Sequence, residues 1–71
     1  MIRSIIRATK PNHKEEKIIF YTSENIHRIA CEKDGQQTIV LSTSDFQRAF
    51  RRFTSVIGCY FLDDYKLEKC N

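Results

Sequence analysis

A chain of 71 residues, 41% apolar and 30% charged, has room for one domain only, because a chain this short buries just about 60% of the surface it exposes when unfolded. Five Phe and three Tyr supply enough large side chains for a core, which excludes disorder on composition. Twelve Lys and Arg against nine Asp and Glu leave a formal charge of +3, an excess that favours an anionic partner without demanding one.

Ile2, Ile5 and Ile6 open the chain, and their β-branched side chains favour a strand over residues 2–8. Arg3 and Arg7 interrupt that run, so it is neither a signal peptide nor a membrane span. Residues 9–17 hold the only proline, Pro11, and few apolar atoms, which predicts an exposed loop. Lys10 and Lys14 in that loop are within reach of an anion, although Glu15 and Glu16 beside them favour a solvated loop of mixed charge. A strand follows at 17–22, a turn at 23–25 and a second strand at 26–32, the latter exposing Arg28 on one side. Asp34-Gly35 is the clearest hairpin signal in the chain, since both residues accept the positive φ of a tight turn. It should return the chain as strand 37–41, paired with 26–32.

Residues 42–53 predict a short amphipathic helix. Phe46, Ala49, Phe50 and Phe53 share one stripe, while Arg48, Arg51 and Arg52 share the opposite one. Ser42 or Ser44 would cap its start. Asp45 at one end and Arg51 and Arg52 at the other suit the helix dipole, which accounts for those arginines without a ligand. Residues 56–62 then read as a strand in which Gly58 marks a bulge or a close backbone approach, Asp63-Asp64 as a turn, and 65–70 as an edge strand guarded by charge. The expected fold is α+β, in the order β-βββ-α-ββ, with five to six antiparallel strands and one helix packed on them through its Phe stripe.

Cys31, Cys59 and Cys70 are odd in number and lack CxxC spacing, which argues against a disulfide framework and a zinc ribbon and for a reducing, cytoplasmic setting. Cys59 and Cys70 would approach each other across the expected hairpin, at a distance the sequence leaves open. No HExxH, Walker loop or GxGxxG occurs, and the two histidines lie on different elements, so neither metal nor cofactor is expected. No cysteine is placed beside a histidine by spacing, which leaves catalytic residues unassigned. Aromatics on strands, Phe20 with Tyr21 or Tyr60 with Phe61, invite comparison with RNA-binding sheets, but neighbours point to opposite faces and the RNP1 pattern is absent.

From Lys17 onward the order of features resembles the LytTR domain, the DNA-binding domain at the C-terminus of Agr-type bacterial response regulators. The resemblance rests on Ile18-Ile19-Phe20-Tyr21, His27-Arg28, Asp34-Gly35, the helix at 44–53, and then Phe53, Val56, Tyr60, Phe61 and Leu62. It implies a DNA-binding transcription regulator. Where the family places Arg, His and Arg or Asn, this chain has Ser55, Ile57 and Gly58, and the family's later strands are missing. A shortened member of this kind would work by docking onto another regulator.

The first expectation is a non-enzymatic regulatory domain that contacts nucleic acid through Arg48, Arg51 and Arg52, with Lys10, Lys14 and Arg28 extending that surface. The second is a phage- or plasmid-type protein that binds and modulates a host protein, with self-association through the edge at 65–70 as its simplest variant. The third is a small ribonuclease built from Arg51, Arg52, His27 and Tyr60.

Overall fold

The computed structural model describes residues 1–70. Among them the chain forms β1 (Ile2–Thr9), β2 (Glu16–Ser23), β3 (Ile26–Lys33), β4 (Gln36–Thr43), α1 (Phe46–Leu62) and β5 (Lys66–Lys69). The first four strands are a meander. The helix then crosses the sheet and returns β5 to the far side of β1, giving the order β4-β3-β2-β1-β5 with every pair antiparallel. This is the α+β fold that the sequence predicts, with one helix on one antiparallel sheet.

The tight turns form where their residues tolerate left-handed backbone. Asp34 and Gly35, at φ 56° and 77°, join β3 to β4, as a two-residue hairpin with twist-matched geometry requires. Glu24 and Asn25, at φ 53° and 63°, join β2 to β3.

The core lies between α1 and one face of the sheet. Ile18, Phe20, Ile29, Ala49 and Phe53 form its buried centre, with Ile6, Val40, Leu41, Val56, Ile57 and Tyr60 packed around it. Phe20 meets Phe53 at 5.3 Å between ring centroids. Among the described residues the other face of the sheet carries no helix. Ile19 opposite Ala30, and Tyr21 opposite Arg28, share that second face because paired residues point the same way and neighbours alternate.

The helix differs from expectation at both ends. It begins at Phe46, capped not by Ser42 or Ser44 but by Asp45, whose carboxylate accepts the Arg48 N–H at 3.2 Å. Asp45 is itself held by a 3.1 Å bond from its N–H to Thr43 Oγ1. Replacing Asp45 with alanine should cost about 1 kcal/mol, the usual worth of such a cap, read as a lowered thermal midpoint.

Residues 56–62 are helix, not strand. Phe53, Val56, Ile57 and Tyr60 continue the 3.6-residue stripe, and burying it against β2, β3 and β4 outweighs the β propensity of Val, Ile, Tyr and Phe. The sheet therefore has five strands among the described residues. The expected hairpin between Cys59 and Cys70 does not form, because Cys59 lies on the helix.

The helix ends in a left-handed cap. Asp64 takes φ 66°, its N–H donates to Phe61 O at 3.2 Å, and the Tyr65 N–H donates to Tyr60 O at 3.1 Å. The Tyr60 and Tyr65 rings meet at 5.1 Å, the side-chain contact that commonly closes this cap. Gly58 sits inside the helix, and a Cβ built there meets nothing within 4 Å. Gly58→Ala should therefore stabilise the protein by about 0.5–1 kcal/mol through helix propensity alone, visible as a raised thermal midpoint.

Candidate functional site

The largest net positive charge of any element is on α1. Of the twelve cations and nine acids, α1 carries Arg48, Arg51 and Arg52 and no acid, a net +3, while the nine cations and nine acids outside it sum to zero and include Arg3 and Arg7 on β1, also without an acid. All three arginines are exposed. No ion pair engages them among the described residues, whereas Arg7 binds Glu68 at 2.8 Å, Lys10 binds Asp63 at 3.4 Å and Lys14 binds Asp34 at 3.1 Å.

The extended helix also removes the dipole explanation for these arginines. Arg51 and Arg52 would sit in the last turn of a helix ending at 53, but α1 runs to Leu62 and has no basic residue in its last turn. A cation mid-helix gains little from the dipole, whose effect fades within one turn of the end. Arg48 with Arg51 and Arg48 with Arg52 are like-charge i,i+3 and i,i+4 pairs, each destabilising by roughly 0.2–0.5 kcal/mol. Neither the helix dipole nor a carboxylate partner among the described residues accounts for this arrangement.

The remaining expected contacts do not join this surface. Arg28 projects from the sheet face opposite the helix, as its pairing with Tyr21 and Ser42 requires. Lys10 is held at the C-terminal end of α1, between Asp63 and the Tyr65 ring, with its Nζ 5.2 Å from the ring centroid. Lys14 is tied to the β3–β4 turn through Asp34.

Beside the arginines lies an aromatic cluster. Phe46 packs on Phe20 at 5.7 Å and meets His27 in a T-shaped contact at 5.3 Å between ring centroids. Phe50 stacks on Phe46, with centroids 6.2 Å apart and planes 13° from parallel. Phe50 was expected in the core, yet half of it is exposed, as is 43% of Phe46. A helix ending at 53 centres its apolar stripe between Phe46 and Phe53. Extension through Val56, Ile57 and Tyr60 rotates that centre toward Ala49 and Phe53 and leaves Phe50 on the flank.

Arg3 completes the cluster, and nothing in the sequence marks it. The β1–β2 register shifts between Ile2 and Ser4, and a bulge of this kind re-aims the extra side chain. Arg3 lies over the Phe46 ring at 5.1 Å and donates from Nε to Thr22 Oγ1 at 2.7 Å. Thr22 Oγ1 also bonds His27 Nδ1 at 2.8 Å. Phe46, Gln47, Phe50 and Arg51 line a shallow cleft on this flank.

At the other end of the helix, Glu16 accepts hydrogen bonds from two phenols. Tyr60 donates to Oε1 at 2.7 Å and Tyr65 to Oε2 at 3.0 Å, clamping β2, α1 and the approach to β5. Burial, reinforced by the Glu16 hydrogen bond, holds the Tyr60 hydroxyl well above the ordinary phenol pKa. The Glu16 hydrogen bond, more than burial, also raises the Tyr65 hydroxyl. Both phenols thus hold their protons more tightly in the folded chain than in the unfolded one. The resulting stability is complete below about pH 10 and is lost as pH rises above it. Tyr60→Phe should flatten that alkaline decline in an equilibrium unfolding series.

The residues named for a ribonuclease are not gathered. Tyr60 is engaged by Glu16, and His27 packs against Phe46, about 21 Å away along the helix axis at 1.5 Å per residue. Burial pushes the Cys31 thiol up, away from a reactive thiolate. Among the described residues no group of three His, Cys, Asp or Glu is placed to hold a metal, and no helix is long and apolar enough to cross a membrane.

Fold and surface together define a small α+β domain whose helix α1 is cationic along its outer side. No family model matches the chain, and no match was found among curated proteins or solved structures.

Proposed function

We propose that this protein is a non-enzymatic nucleic-acid-binding domain that contacts phosphates through Arg48, Arg51 and Arg52 on α1. The observation that carries this reading is a row of three exposed arginines on one helix, with no acid on that helix and no carboxylate partner among the described residues. A cationic face that costs helix stability and serves no cap is suited to a polyanion. The role would be regulatory, as in a transcription regulator. The LytTR resemblance does not bear the argument, because Ser55, Ile57 and Gly58 stand where that family has its polar contacts.

Mixed-sequence DNA and RNA should both shift on a native gel at low salt, and excess heparin should reverse the shift. A folded protein that leaves both unshifted at micromolar concentration refutes the proposal.

One observation favours a second reading, a protein partner. The helix-free face of the sheet presents Ile2 and Ile39 about half exposed beside Ile19 and Tyr21. If that face is an interface, Ile39→Glu should abolish capture of the partner while leaving nucleic-acid binding intact. Self-association through β5 would use the edge bearing Lys66, Glu68 and Lys69, whereas β4, the opposite edge, has no charged residue.

A further inference from the structure

Phe46 and Phe50 are unusual solvent neighbours for a row of arginines. Phe46 is fixed from three sides by Phe20, His27 and Arg3, so it forms a rigid base for the Phe50 ring stacked on it. Phe50 has Phe46 as its one ring partner among the described residues, and half of it is in water. Gln47 and Arg51 border the same cleft, one turn and one residue from Phe50. The surface thus offers a flat apolar ring with hydrogen-bond donors and positive charge directly beside it.

Building on the nucleic-acid reading, we infer that the partner is single-stranded, with an unpaired base stacked on Phe50 and the adjoining phosphates held by Arg51 and its neighbours on α1. The charge of the helix calls for an anion, and the exposed ring calls for a planar group carried by that anion. A duplex presents phosphates to such a surface but keeps its base faces stacked inside, whereas a single strand presents both. Stacking is tolerant of base identity, since every base has a π face. Arg3 contributes by holding Phe46, and through it Phe50, in place.

The test compares labelled single-stranded DNA and RNA oligonucleotides with duplexes of the same sequence by fluorescence anisotropy at fixed low salt. Single strands should bind more tightly than duplexes. Phe50→Ala, at a half-exposed position outside the buried core, should keep the fold, weaken single-strand binding roughly ten-fold and leave the slope of affinity against salt unchanged. Phe50→Trp should restore it. An oligonucleotide carrying 2-aminopurine should change its fluorescence on binding the unaltered protein and not on binding Phe50→Ala. Equal affinity for duplex and single strand, with Phe50→Ala silent, overturns stacking while the phosphate-binding reading stands. Absence of binding to either form overturns both. A poly-glutamate peptide that competes as well as an oligonucleotide of equal charge also overturns the single-strand assignment.

Discussion

Phe53→Ala is expected to remove most of the protein's stability, about 3–5 kcal/mol. Phe53 is only 6% exposed, its ring packs against Phe20, and it joins the helix to Ile18 and Ile29 in the buried cluster. A domain of this size has roughly 4–10 kcal/mol in total, so the variant should be largely unfolded at 37 °C and marginal at 25 °C. Phe50→Ala, on the same helix and only three residues away, should cost far less because half of that side chain is already in water. Chemical denaturation of the two variants side by side checks the contrast. A Phe53→Ala midpoint close to that of the unaltered protein would mean that the helix is not seated on the sheet through this residue.

The meander was legible in the sequence for physical reasons that can be named. Asp34-Gly35 announced its own backbone conformation, and the runs at Ile18–Tyr21 and Ile39–Leu41 are too short for buried helices and rich in β-formers. The second half of α1 was obscured by local signals that pointed the wrong way. Thr54-Ser55 and Gly58 are poor helix residues, and Val56, Ile57, Tyr60 and Phe61 are good strand residues. The period of Phe53, Val56, Ile57 and Tyr60 was the better guide, because what decides the conformation is burial against the sheet.

That one boundary altered the reading of the surface. With a helix ending at 53, Phe50 belongs to the core and the arginines belong to the dipole; with α1 ending at Leu62, Phe50 emerges and the arginines lose their structural reason. Arg3 had no legible signal, since its position depends on a bulge between Ile2 and Ser4 that no turn residue marks.

The second large effect concerns function. Changing Arg48, Arg51 and Arg52 together to glutamine should weaken nucleic-acid binding on the order of a hundred-fold at low salt, because all of the net positive charge is removed from the binding element. Folding should not suffer. Glutamine matches arginine closely in helix propensity, the side chains are exposed without carboxylate partners among the described residues, and two like-charge pairs are relieved. The variant should therefore melt at the same temperature as the unaltered protein or slightly above it. Loss of binding together with loss of structure would instead assign these arginines a role in the fold.

The most direct test of the phosphate-binding helix is the salt dependence of affinity, measured in parallel on the unaltered protein and the triple glutamine variant. For a single strand, each phosphate neutralised adds about 0.7 to the slope of log affinity against log salt. Three arginines should thus give the unaltered protein a slope steeper than that of the variant by about 2. Matching slopes for the two proteins would contradict the account, because binding would then not run through Arg48, Arg51 and Arg52.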